Sequence, residues 1–136
     1  MVVDASALLD IVLSTEPGAA LGARLSLSGD GLVAPELLGV EANAVLRAKA
    51  LAGEYPPDLI SRARVELDEF GVTPIRHAAL LDRAWELREN FTIADGLYVA
   101  LAELADRPLL TSDLRLAKAA RRHTAIEVRT HRDDLP

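Results

Sequence analysis

Short apolar runs alternate with longer helical patterns along all 136 residues of the chain, and that alternation admits few folds. Residues 1–3, 32–34, 72–75, 108–110 and 125–128 read as buried strands. Pro108 opens its run, where a missing N–H is tolerated. Helices are expected at 5–13, 19–27, 36–52, 57–70, 77–90, 93–104 and 112–122. Leu37, Leu38, Val40, Ala44, Val45, Ala48 and Leu51 have helical spacing, as do Leu80, Leu81, Ala84 and Leu87. Pro17-Gly18 reads as a break, Ser28-Gly29-Asp30-Gly31 as a turn, Pro35 as a helix start, and Gly53 and Gly71 as helix stops. The tail from 129 to 136 is polar. This order predicts an α/β layer fold with a central, mainly parallel sheet flanked by helices. With no linker, repeat or low-complexity stretch, residues 1–136 are expected to form a single domain.

Half the residues are apolar but only 4 % are aromatic, so the core has to be built from Ala, Leu, Val and Ile. The absence of cysteine excludes disulfides, thiolate metal sites and a cysteine nucleophile. No basic segment precedes an apolar stretch at the N-terminus, and no run of ~20 apolar residues exists. A soluble cytoplasmic protein without a membrane segment is the expectation.

Four acids fall where such a sheet places its ligand sites, beyond the carboxyl ends of the strands. Asp4 directly follows the first strand, and Asp113 lies just past the fourth. Asp95 is in the first turn of a helix, and Glu41 in the second turn of the helix after strand two. Each has a plainer reading. Asp4 or Asp113 can cap the helix it precedes, and Thr92-Ile93-Ala94-Asp95 fits a capping box. Glu41 resists capping because it lies past the first turn; its plain reading is an exposed residue paired with Arg47.

Taken together, the four suit metal-assisted phosphodiester hydrolysis. Oxygen ligands select hard cations such as Mg²⁺ or Mn²⁺, and two ions about 3.5–4 Å apart activate a water and stabilise the leaving oxygen. The net charge of −6 argues against a nucleic-acid partner. With the four acids set aside as ligands, 15 basic residues face 17 acidic ones, a net −2, and bound cations reverse the local sign.

Four segments occur in order: Val2-Val3-Asp4-Ala5-Ser6, Glu41-Ala42-Asn43-Ala44-Val45-Leu46-Arg47, Ala94-Asp95-Gly96-Leu97-Tyr98-Val99-Ala100-Leu101-Ala102, and Leu110-Thr111-Ser112-Asp113. In order, spacing and helix context the chain resembles the PIN-domain ribonucleases and, within them, the VapC toxins of bacterial toxin–antitoxin pairs. The resemblance spans essentially the whole chain. It implies a three-layer fold and a site in which Asp4, Asp95 and Asp113 bind Mg²⁺ or Mn²⁺ while Glu41 completes the acidic cluster. It also implies that Ser6 and Thr111 support the site by hydrogen bonding. Asn43 and Arg47 match recurring positions on the Glu41 helix, with packing or surface roles as the alternative. A homodimer, a structured RNA substrate such as tRNA or rRNA, and a VapB-type antitoxin that covers the cleft are implied as well. Ala94 and Gly96 depart from the family's more common Tyr and Ala, but no acid is missing.

Other patterns are weaker. Gly29-Asp30-Gly31-Leu32-Val33-Ala34 fits a loose dinucleotide-binding pattern but precedes a strand instead of following one. His77, His123 and His131 lack zinc spacing and are expected at the surface. Trp85 is expected to pack rather than to stack on bases. Arg121, Arg122, Arg129 and Arg132 with His123 make a basic C-terminal part that either contacts phosphates or is merely solvated. An aspartate-based phosphatase needs a second Asp at position six, which is Ser6. A phosphoacceptor domain needs a lysine in a late loop, whereas Lys49 and Lys118 lie on predicted helices. A noncatalytic PIN-like binding module is the remaining alternative.

Overall fold

The computed structural model describes residues 1–29 and 31–133, without the side chain of Leu27. The strands are β1 (Val2–Val3), β2 (Val33–Pro35), β3 (Thr73–Ile75), β4 (Leu109–Leu110) and β5 (Val128–Arg129). The helices are α1 (Ala5–Val12), α2 (Glu16–Leu27), α3 (Leu37–Leu51), α4 (Pro57–Glu69), α5 (Leu81–Glu86), α6 (Ile93–Ala105) and α7 (Leu114–His123). All strand pairs are parallel, in the order β3-β2-β1-β4-β5. The expected α/β fold is therefore present, with a sheet that is wholly rather than mainly parallel.

Strand order fixes where a site can lie. From β1 the chain steps outward to β2 and β3, then returns across the sheet to β4 on the other side of β1. Right-handed crossovers place helices on opposite faces for the two directions. Packing agrees: α1 touches α2, α3 and α4, whereas α5 packs on α6. The direction reverses between β1 and β4, which makes their carboxyl ends the topological switch point. Val2 pairs with Leu109 and Val3 with Leu110 there, and all four side chains are fully buried. The larger core joins these strands to Leu97, Tyr98 and Leu101 of α6 and Leu116 and Ala120 of α7. A second cluster joins Leu9 and Val12 of α1 to Ala42 and Leu46 of α3 and Ala63 of α4.

Several expectations are corrected. Pro17-Gly18 does not break a helix: α2 begins at Glu16 with Pro17 in its first turn, where the missing N–H is an orphan anyway. The break falls earlier, at Ser14, whose φ of 53° is left-handed. Gly18 is there for close packing, since a Cβ would collide with the Asp10 carbonyl on α1. Pro35 ends β2 instead of starting a helix. The helix expected over 77–90 is interrupted. His77–Ala79 forms a 3-10 turn, and α5 covers only Leu81–Glu86; at that turn Nε2 of His77 accepts the Leu37 N–H at 2.9 Å. The last strand begins at Val128, after Thr124 folds its hydroxyl back onto the Ala120 carbonyl. Of the turn expected at 28–31, Asp30 lies outside the described residues, as do residues 134–136 of the tail. Among the described residues, no helix is long and apolar enough to cross a membrane.

Candidate active site

Asp4, Glu41, Asp95 and Asp113 line one cleft of about 360 Å³ at the switch point, together with Ser6, Asp10, Thr15, Val45 and Lys49. Four acids from four elements, spread over 109 positions of sequence, meet because β1 and β4 are neighbours and α3 and α6 start beside them.

Asp4 is the anchor. It stands at the N-cap of α1 but makes no side-chain cap bond, so its carboxylate is not used for helix capping. Instead Oδ2 accepts the Ser6 hydroxyl at 2.6 Å and the Thr111 hydroxyl at 2.7 Å. The two hydroxyls are 3.2 Å apart. Each also accepts a backbone N–H from the loop after β4: Ser6 from Ser112 and Thr111 from Asp113. This lattice ties the end of β1 to the end of β4. Asp4 is only 8 % exposed. Burial pushes its carboxyl above the usual range, the two hydroxyls pull it part of the way back, and the nearby Asp95 pushes it up again.

Glu41, half-buried on α3, accepts the phenol of Tyr98 on α6 at 2.7 Å. Burial raises its carboxyl, the phenol opposes that, and Asp4 and Asp95 add to the rise. Burial and Glu41 together raise the Tyr98 hydroxyl well above its ordinary value. The alternative pairing with Arg47 is not made. Six helical residues place Arg47 about 240° around α3 from Glu41, and Arg47 is exposed away from the cleft.

Asp113 does cap a helix: its Oδ1 accepts the N–H groups of Arg115 and Leu116 at the start of α7. Its other oxygen remains for the cleft. Asp95 donates its own N–H to the Thr92 hydroxyl, which is one half of a capping box, and keeps its carboxylate for other partners. Arg115 reaches both acids, with Nη2 3.3 Å from Asp95 Oδ2 and 3.4 Å from Asp113 Oδ2. Because the guanidinium is 74 % exposed, these are weak, solvent-screened pairs.

Asn43 does not join the cleft. It is exposed on α3, donating to the Gly39 carbonyl and accepting from Arg64 of α4, so it braces two helices. Trp85 is 60 % exposed, with the Arg88 guanidinium 4.5 Å over its ring, and is not packed in the core. Arg121 is engaged by Asp133 and the Val128 carbonyl, and Arg129 by Glu127. Tyr98, Arg115 and Lys49 are site residues for which sequence reasoning assigned no role. Tyr98 lies three residues past Asp95, on the same side of a helix, a usable signal. Arg115 and Lys49 carry no comparable local mark.

Every donor offered by the four acids is an oxygen, which suits a hard divalent cation. Burial chiefly, and repulsion from the neighbouring acids in smaller part, raises Asp4 and Glu41, and a bound cation would offset both. Among the described residues, no group of three or more acidic, histidine or cysteine side chains stands close enough together to hold a metal ion as the side chains are placed.

The sequence pattern of the PIN domain matches residues 1–122, and the chain belongs to the PIN-domain family. Its similar proteins there are VapC ribonucleases. Ribonuclease VapC12 of Mycobacterium tuberculosis is 37 % identical over 131 residues, spanning 94 % of this chain and 98 % of that protein. Ribonuclease VapC1 of the same species is 38 % identical over 122 residues, 87 % of this chain and 89 % of that protein. Ribonuclease VapC3 is 35 % identical over 119 residues, 88 % and 86 % respectively.

Proposed function

We propose that this protein is the toxin of a toxin–antitoxin pair, a metal-dependent endoribonuclease that hydrolyses RNA phosphodiester bonds at the cleft of Asp4, Glu41, Asp95 and Asp113. The observation that carries this reading is the convergence of the four acids on one cleft, with Asp4 buried and uninvolved in capping. Asp4, Asp95 and Asp113 would hold Mg²⁺ or Mn²⁺. A bound divalent cation supplies an activated water and neutralises the charge that builds on the phosphate. The chain's own groups do the rest. Ser6 and Thr111 fix the Asp4 carboxylate, and Glu41, held by Tyr98, faces the acids as the group that orients the attacking water.

The relatives' names support ribonuclease activity, and the presence of all four acids favours it over a noncatalytic module. An aspartate-based phosphatase is disfavoured because Ser6, where the second acid belongs, donates to Asp4. A cytoplasmic location, a tRNA or rRNA substrate and a VapB-type antitoxin belong to the same reading. Homodimerisation does too.

The test is RNA cleavage in Mg²⁺, in Mn²⁺ and in EDTA. Cleavage is expected with either metal, none in EDTA, and none in Asp4→Asn or Asp95→Asn. Cleavage undiminished in both variants rejects the site.

A further inference from the structure

The acids occupy only one end of the cleft. On its α3 side, Glu41, Val45 and Lys49 line it at four-residue steps, so they lie one above another along a single helix face. Eight residues of helix separate Glu41 from Lys49 by about 12 Å. Leu9 and Asp10 of α1, with Leu13 and Thr15 after it, also line the cleft, but Leu9 and Leu13 are buried and Asp10 Oδ1 is occupied by the Thr15 hydroxyl at 2.7 Å. Lys49 is the one cation among the described residues lining the cleft. It sits in the last turn of α3, where the helix dipole favours positive charge.

Resting on the function proposed above, we infer that Lys49 is a substrate-positioning residue: it takes a backbone phosphate of the RNA strand away from the scissile bond, and the exposed Val45, between Glu41 and Lys49, lies under the intervening nucleotide. Charge supports this assignment. Five carboxylates line the cleft and repel a polyanion; Arg115 and a bound cation would offset them at the Asp95 and Asp113 end, and at the far end of α3 Lys49 is the cation that lines the cleft. The ammonium is free to exchange partners. Its pair with Glu54, at 3.2 Å with the two side chains 31 % and 53 % exposed, is solvent-screened. The Tyr55 ring, 5.6 Å from Nζ, keeps the lysine close to the cleft while it does so.

Binding is read without cleavage, in the full chain carrying Asp4→Asn, by fluorescence anisotropy of a labelled 12-nucleotide single-stranded RNA of mixed sequence in Mg²⁺. Adding Lys49→Gln should weaken binding roughly three- to ten-fold and lower the slope of log affinity against log salt by about 0.7. Lys49→Arg should restore both. In the otherwise wild-type enzyme, Lys49→Gln should raise KM with kcat held, and the loss should shrink on an oligonucleotide trimmed to one nucleotide either side of the scissile bond. Unaltered affinity and salt slope in Lys49→Gln overturn the assignment, as does a loss confined to an acidic peptide, which makes the groove a protein site. Lysine-dependent RNA binding with no cleavage by the wild type upholds Lys49 and sinks the catalytic reading alone. RNA binding by none of the variants overturns both.

Discussion

The phenol of Tyr98 on α6 donates to Glu41 Oε1 on α3 at 2.7 Å, joining helices that follow different strands. The bond favours the charged form of Glu41 and so offsets part of the rise caused by burial, Asp4 and Asp95. Tyr98→Phe removes that support. The Glu41 carboxyl should then titrate at still higher pH, the rising limb of the cleavage–pH profile should move up with it, and kcat should fall about tenfold. Stability should drop by about 1 kcal/mol. A profile superimposable on that of the wild type would separate Glu41 from the reaction.

Thr111 is fully buried, donates to Asp4 and accepts the Asp113 N–H. Thr111→Val keeps the volume but leaves that N–H without its partner, which should cost about 1–3 kcal/mol. It should also weaken Mg²⁺ binding in a calorimetric titration, because Asp4 loses one of the two hydroxyls that fix it. Ser6→Ala should do the same more mildly, at a half-buried position. Equal metal affinity in all three proteins would mean that Asp4 needs no such fixing.

The raised Asp4 and Glu41 carboxyls set the sign of the pH dependence of stability. Between their ordinary values and their raised ones, the native state holds more protons than the unfolded chain, so stability falls as pH rises. In EDTA, the urea midpoint should therefore decline as pH climbs out of the carboxylate range, and Mg²⁺ should flatten the decline. Asp4→Asn, which removes the charge, should raise the melting temperature of the metal-free protein at pH 7 while abolishing cleavage. A melting temperature lowered in EDTA would show that the buried charge is already fully compensated.

Arg115 occupies the two acids that a cation would share. Because an exposed pair contributes at most about 1 kcal/mol, Arg115→Ala should lower the Mg²⁺ concentration for half-maximal cleavage by up to about fivefold. A higher midpoint would make Arg115 a helper of metal or substrate binding instead of its competitor.

The positions of the acids were legible because each sits next to a local signal: a strand end for Asp4 and Asp113, a helix start for Asp95, an interior helical position for Glu41. Strand order was not, since nothing local says that β4 returns beside β1. The 77–90 helix was overextended because no Pro or Gly marks its interruption, at which His77 accepts the N–H of Leu37, forty residues away. Pro17-Gly18 misled for the opposite reason. Two residues that usually punctuate a chain here serve a helix start and a close crossing over Asp10. Capping and site membership also proved compatible in Asp113, where one carboxylate oxygen caps α7. The roles of Tyr98 and Arg115 come from contacts between elements, beyond the reach of spacing alone.

The pairing of β1 with β4 also governs when the protein becomes dangerous to the cell that makes it. Asp4 is synthesised more than a hundred residues before Thr111, Ser112 and Asp113. Under the function proposed here, a growing chain lacks both the partner strand that seats Asp4 and the acid opposite it, so a ribosome carries an inert polypeptide until residue 113 has been added. Fragments that stop short of residue 113 should be harmless when expressed.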